Sequence, residues 1–236
     1  MSSFLEVRNL HACYGTSHVL FGISLHVCEG EVVALLGRNG AGKSTTLKTI
    51  MGAHAPQSGM VRFKGQDIAG LPSNRISRLG VGYVPEERRI FRGLSVAENL
   101  EAGRQPPRHG RQAWDERSIL DLFPKLGAML DRRADALSGG EQQMLSIART
   151  LMGNPLVLLL DEPSEGLAPI VVDQLRERLT ALKGTGMTIL LSEQNLAFSL
   201  RLADRIYIIE KGDIKFEGTP RDLIVNEGVR KAYLMV

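Results

Sequence analysis

The chain has 236 residues, 43% of them hydrophobic and 23% charged, enough apolar material for a sizeable core in one large domain or two small ones. Its formal net charge of +3 comes from scattered basic residues without interleaved aromatics, a slightly basic solvated surface rather than a single-strand nucleic-acid groove. No apolar run comes near the roughly 18 residues that a membrane-spanning helix needs. Glu6 and Arg8 break up any leader-like start, and Cys13 and Cys28 lack CxxC spacing. The expectation is a cytoplasmic protein with reduced thiols, which acts at a membrane only through partners.

In chain order, residues 4–10 alternate apolar and polar side chains and read as a strand, as do 19–27. Residues 31–36 form a short apolar run leading into a glycine-rich turn and then a helical stretch over 43–51. That strand, loop, helix order is how an α/β nucleotide-binding domain begins. Further short strands are expected at 60–63 and 82–84. Pro106 and Pro107, with basic neighbours, mark 103–110 as a solvent-exposed turn or linker. Helical periodicity follows over 113–123 and 140–152. The α/β pattern then resumes: strand 156–160, helix 170–182, strand 187–191, helix 195–202. A hairpin of 205–210 and 214–217, turning at 211–213, closes it. The chain thus reads as a single domain over 1–236, with a core at about 1–86 and 153–236 and a largely helical insert at about 87–152.

Gly37-Arg38-Asn39-Gly40-Ala41-Gly42-Lys43-Ser44 has the full spacing of a phosphate-binding loop. Glycines let successive backbone N–H groups turn onto phosphates, and the following helix adds its positive dipole end. Lys43 suits the β- and γ-phosphates of ATP, Ser44 a Mg²⁺ ligand, and Thr45 a further hydroxyl near the α-phosphate. The alternative is a glycine-rich helix start that binds nothing. It is weakened by the expected strand before the motif and helix after it.

The apolar strand at 156–160 ends in Asp161-Glu162-Pro163. Ligands gather at the C-terminal ends of strands in open α/β sheets, so two acids there invite a role. Side chains of neighbouring residues on an extended strand point opposite ways, so the two should differ in duty. Asp161 fits a direct or indirect partner of Mg²⁺, and Glu162 fits the group that orients and deprotonates the attacking water.

Leu137-Ser138-Gly139-Gly140-Glu141-Gln142-Gln143 decides among the phosphate-loop classes. It resembles the signature motif of ABC ATPases and lies just ahead of the acidic strand, as in that family. Physically, Ser138, two glycines and a new helix start make a second anion site. The resemblance covers essentially the whole chain. It implies an α/β fold, a P-loop NTPase (RecA-like) core with an antiparallel β subdomain and a helical insert. It also implies a head-to-tail dimer in which Leu137, Ser138, Gly139, Gly140 and Glu141 close over ATP held by the partner's P-loop. Tyr14 falls where the family stacks an aromatic ring on adenine; its other reading is a partly buried aromatic at a strand end.

Three positions depart from the general family pattern. Glu86 stands where most members carry a glutamine that contacts Mg²⁺ and water. Gln194 holds the usual switch-histidine position, all five histidines lying at or before His109, and Ala168 replaces an aspartate. Together VPE-x-RRIF, EPS-x-GLAP and EQN are similar to the LivF-type ATP-binding subunits of bacterial importers of branched-chain and other hydrophobic amino acids. Glu87 differs from the glycine of that group. The resemblance implies as partners a second ABC ATPase subunit, two integral-membrane permease subunits and, through them, a periplasmic solute-binding protein. It implies no nucleic acid, and a peripheral position on the inner face of the cell membrane. Competing readings are a non-transport ABC ATPase of DNA maintenance or translation, a nucleotide sensor without turnover, and a transporter of another solute such as urea or amides.

Overall fold

A computed structural model describes residues 3–108 and 113–234; His109 and Gly110 of the expected linker lie outside the described residues. The chain opens with an antiparallel pair, β1 (Leu5–Tyr14) and β2 (Ser17–Val27), and continues with β3 (Val32–Leu36), α1 (Lys43–Ile50), β4 (Ser58–Phe63) and β5 (Gln66–Asp67). α2 (Ser73–Leu79) and β6 (Val81–Val84) lead into the helices α3 (Val96–Gly103), α4 (Glu116–Leu122), α5 (Pro124–Gly127) and α6 (Gly139–Leu151), with a 3₁₀ turn at Ala134–Ala136. β7 (Val157–Asp161), α7 (Pro169–Gly184), β8 (Thr188–Glu193), α8 (Leu196–Leu202), β9 (Arg205–Glu210) and β10 (Asp213–Gly218) follow, then α9 (Pro220–Val225) and α10 (Glu227–Tyr233).

Two sheets organise these elements. One runs β2-β1-β4-β5 and is antiparallel. The other runs β10-β9-β3-β8-β7-β6, parallel except at the β9–β10 hairpin. The parallel strands are apolar on both faces, because each face has its own core. Val32, Ala34 and Leu36 of β3, with Leu158 and Leu160 of β7, pack towards the helices. Val33 and Leu35, with Val157 and Leu159, pack towards α1 and the antiparallel sheet. Continuous apolar runs are what such doubly covered strands require, and each fully buried side chain contributes roughly 1.5–3 kcal/mol.

Most expected elements appear within two residues of their expected ends, and the exceptions have local causes. β1 runs on to Tyr14 because a bulge between Val7 and Leu10, with Asn9 at φ 46, resets the alternation. α3 was not expected, although Ser95 and Glu98 form a reciprocal capping box at its start. α2 and β5 carry too few buried positions to show a period, with Ile76 alone buried on α2. The expected turn at 103–110 is pinned at Arg108, whose guanidinium donates to Asn154 O at 2.7 Å and to Arg78 O at 3.0 Å.

The β9–β10 turn reaches across to both sheets. Gly212 N donates to Ala41 O at 2.8 Å, and Phe21 N of β2 donates to Gly212 O at 2.8 Å. Gly212 has φ 75, and a Cβ there would run into Val19 O, so only glycine serves.

Candidate active site

The loops after β3, β6, β7 and β8 meet at the C-terminal edge of the parallel sheet. β3 carries the chain to Gly37, whose N–H donates to Glu193 O at 3.3 Å. The loop then turns into α1 at Gly42, which has φ 110 and no side-chain cap. A Cβ on Gly42 would lie 2.8 Å from Leu20 Cδ2, so backbone conformation and space both demand glycine. With no acidic residue in its first turn, α1 presents backbone donors to an anion without competition from its own side chains. Arg38, Asn39 and Gly40 are exposed, Ala41 and Thr45 are buried, and Ser44 is half-buried in the first turn.

Lys43 is 3% exposed. Its Nζ donates to Gly37 O at 2.8 Å and Arg38 O at 3.0 Å, and it pairs with Glu162 Oε1 at 3.0 Å. Glu162 is itself 8% exposed, so this is a buried ion pair joining the loop after β3 to the end of β7.

Asp161 is fully buried and turns elsewhere. The pairing of β7 with β8 sets it opposite Ser192. Its Oδ1 accepts from Ser192 Oγ at 2.7 Å and its Oδ2 from Tyr83 OH at 3.0 Å. Burial, and then the Asp161 charge, hold the Tyr83 phenol protonated well above its ordinary range. The two acids do diverge, but strand alternation is not the cause. The chain leaves the extended conformation at Glu162, which has φ 46 and whose N–H donates to Ser192 O at 3.1 Å. One lone pair on each Asp161 oxygen is taken, and the others remain for a metal or its waters. The hard-oxygen set of Ser44, Asp161 and Glu86 fits Mg²⁺, which takes one or two carboxylates beside substrate phosphates.

Glu86 is exposed, and the shielding it has, followed by the charges of Glu162 and Asp161, pushes its carboxyl above the ordinary range. Glu165, two residues beyond Pro163, hydrogen-bonds Glu162; that bond, then desolvation and the charges of Glu162 and Glu86, push its pKa up to about 7. Glu193 is buried and raised by that burial. Its Oε1 accepts from Ser164 N at 3.0 Å, and its Oε2 accepts from Ser164 Oγ at 2.9 Å and Asn195 N at 3.2 Å. It therefore ties the segment after Glu162 to the turn that carries Gln194, which is exposed. The sequence reading passed over Ser192, Tyr83, Glu193 and Glu165 as site residues. Only Glu165 had a signal nearby, in its closeness to the acidic pair.

Tyr14, at the end of β1, is 48% exposed and stacks on His54 with ring centroids 4.2 Å apart. His54 follows α1 and was also missed, its ring partner being far away in sequence.

Residues 137–141 stand apart. Leu137 is buried, and Ser138 caps α6 in a box with Glu141. Glu141 Oε2 accepts from Ser138 N at 2.7 Å and Ser138 Oγ at 2.8 Å, which holds the Glu141 carboxyl below its ordinary range. A Cβ on Gly140 would strike Val171 of α7, and one on Gly139 would lie 3.0 Å from Arg88 Nη1. Among the described residues, no side-chain hydrogen bond or ion pair joins 137–141 to the loop 37–45. One chain therefore brings Lys43, Asp161, Glu162 and Glu86 together and leaves 137–141 apart from them.

Residues 20–165, more than half of the chain, match the ABC transporter family. BraG of Pseudomonas aeruginosa, described as a high-affinity branched-chain amino acid transport ATP-binding protein, is 45% identical over 98% of this chain and 99% of its own length. LptB of Haemophilus influenzae, described as a lipopolysaccharide export system ATP-binding protein, is 37% identical over 98% and 97%. A crystal structure of the ADP conformation of an ATP-binding cassette of an ABC transporter superposes with a TM-score of 0.84 over 98% of both chains, at 27% identity.

Proposed function

The chain belongs to the ABC transporter family as one of its ATP-hydrolysing cassettes, and on that premise we propose that it powers an importer of branched-chain or other hydrophobic amino acids. The observation that carries the catalytic part is the buried Lys43–Glu162 pair at 3.0 Å. A γ-phosphate arriving at Lys43 replaces Glu162 as the partner of that charge. Glu162 is then free to orient water for in-line attack and to take its proton. In the loop Gly37 to Thr45, the Gly37 and Ala41 N–H groups are spent on Glu193 O and Arg38 O. The backbone N–H groups left over, those of Arg38, Asn39, Gly40 and Gly42 among them, hold the phosphates, and Tyr14 stacks on adenine. Ser44, with Asp161 and Glu86, would hold Mg²⁺, which neutralises charge between the β- and γ-phosphates when bound. Gln194 donates a hydrogen bond to the γ-phosphate but carries no positive charge, and an ionised Glu86 accepts where a glutamine would also donate.

Cassettes of this family work with a dimer partner and with membrane permeases. Here the proposed dimer is head to tail, with Ser138 to Gly140 of one chain closing over ATP on the other; the second cassette is a related or an identical chain. The helical segment at about 87–152 and the loop 86–91 are proposed as the arm that meets two permeases. They would hold the cassette on the inner face of the cell membrane, with a solute-binding protein reached through the complex. No helix among the described residues is long and apolar enough to cross a membrane by itself.

The 45% identity to a branched-chain amino acid cassette supports import over export, the 37% likeness to a lipopolysaccharide export cassette being the specific observation on the other side. Affinity capture of this chain from native membranes decides between them. Amino acid permeases and a sister cassette are the expected companions, whereas lipopolysaccharide export components, or no permease at all, would overturn import.

A further inference from the structure

We propose that Arg88 is a phosphate-binding residue of the second half-site: its guanidinium, held beside Gly139, contacts the γ-phosphate of ATP carried by the paired cassette. This rests on the head-to-tail pairing proposed above and adds a residue to it.

The loop after β6 is held in an uncommon shape. Arg88 and Arg89 sit at φ 63 and 46, two successive side-chain-bearing residues in the left-handed region. Three side chains of the helical segment keep it there. Ser146 Oγ, on a fully buried residue of α6, donates to Arg88 O at 2.5 Å. Arg149 Nη2 donates to Arg89 O at 2.7 Å, and its guanidinium lies 4.6 Å from the Phe91 ring centroid. Buried Asn99 on α3 accepts from Phe91 N at 2.9 Å and donates to Phe91 O at 3.0 Å. Loop and α6 are thereby one body.

The consequence is where Arg88 points. An ideal Cβ on Gly139 would lie 3.0 Å from Arg88 Nη1, so the guanidinium rests against the first residue of α6. No ion pair with a carboxylate holds it there, among the described residues. The same helix start carries Glu141, whose carboxylate faces Ser138 and is answered by the charges of Arg132 and Lys125, so the Arg88 guanidinium, a planar fork suited to phosphate oxygens, is left for a ligand. Gly139 is then glycine because a side chain would displace Arg88.

The test uses the full chain carrying Glu162→Gln, which holds ATP without turnover, with dimer formation followed by sedimentation. Added Arg88→Gln is expected to raise the dissociation constant of the ATP-driven dimer about tenfold, while Arg88→Lys, keeping the charge, raises it about threefold or less. Fluorescent ATP binding to the monomer should change less than about twofold throughout. A dimer unaffected by Arg88→Gln overturns the proposal, as does an equal loss in monomer binding. If the Glu162→Gln chain forms no ATP-dependent dimer either with itself or with the sister cassette recovered from native membranes, the pairing fails, and the role of Arg88 with it.

Discussion

Two helices of this chain begin at glycine-rich turns, and they complete their first turns in opposite ways. α1 starts at an uncapped Gly42 with a buried lysine behind it, and an acid from a distant strand, Glu162, occupies that lysine. α6 starts at Ser138, and an acid three residues on, Glu141, occupies its serine and backbone. Each start thus holds a carboxylate of its own where a phosphate would bind. The first carboxylate is buried and reaches across the sheet, so releasing it reorganises the site. The second is local and lies at the surface. On the pairing proposed above, a single chain exchanges the first for ATP, whereas the second is met only by nucleotide held on the partner cassette.

The contrast breaks first at Glu162. Glu162→Gln should lower turnover by about 100-fold or more while ATP remains bound, read by phosphate release beside equilibrium binding. Wild-type turnover in that variant would remove Glu162 from catalysis. Lys43→Met comes next: it leaves a buried carboxylate unpaired and should cost roughly 3–5 kcal/mol of stability as well as ATP binding. Combining it with Glu162→Gln should restore much of the stability but none of the binding, and denaturant melts of the three variants check this. At α6 the effect shrinks. Ser138→Ala removes a surface cap worth about 1 kcal/mol, a fall of roughly 2–4 °C in Tm, and should leave monomer ATP affinity unaltered. A loss of monomer affinity there would erase the difference between the two helix starts.

The smallest effect is a pH dependence at Glu165. Its pKa rises from 4.5 to about 7 in the folded chain. The stabilisation from the shared proton is therefore full below about pH 4.5 and is lost as pH climbs through 7. Relative to Glu165→Gln, the wild type should melt at progressively lower temperature between pH 5 and pH 8. Two melting curves that stay parallel over that range would show that the Glu162–Glu165 hydrogen bond is not made in solution.

What could be read from the sequence was whatever is local. The strand, loop and helix around Lys43 announce themselves within about twenty residues, and the Ser138–Glu141 spacing is a helix-start signal in its own right. The same signal at Ser95–Glu98 was equally legible and was passed over. The partners of the acids were not legible. Asp161 meets Ser192 and Tyr83 only because β7 lies between β8 and β6, and sheet order is a property of the whole chain. The left-handed turn at Glu162 leaves no mark either, since nothing about a glutamate asks for φ 46.

The seam at Gly212 has a consequence for the order of assembly during synthesis. The phosphate loop leans on Gly212 through Ala41 O, and β2 is stitched to the same residue through Phe21 N. Phe21 and Ala41 therefore acquire this support only when the later-made hairpin of β9 and β10 has left the ribosome. Such distant contacts are slow to close, and segments awaiting them stay exposed. A nascent chain stalled before Gly212 would carry every residue of the phosphate loop and still lack the contact that braces Ala41.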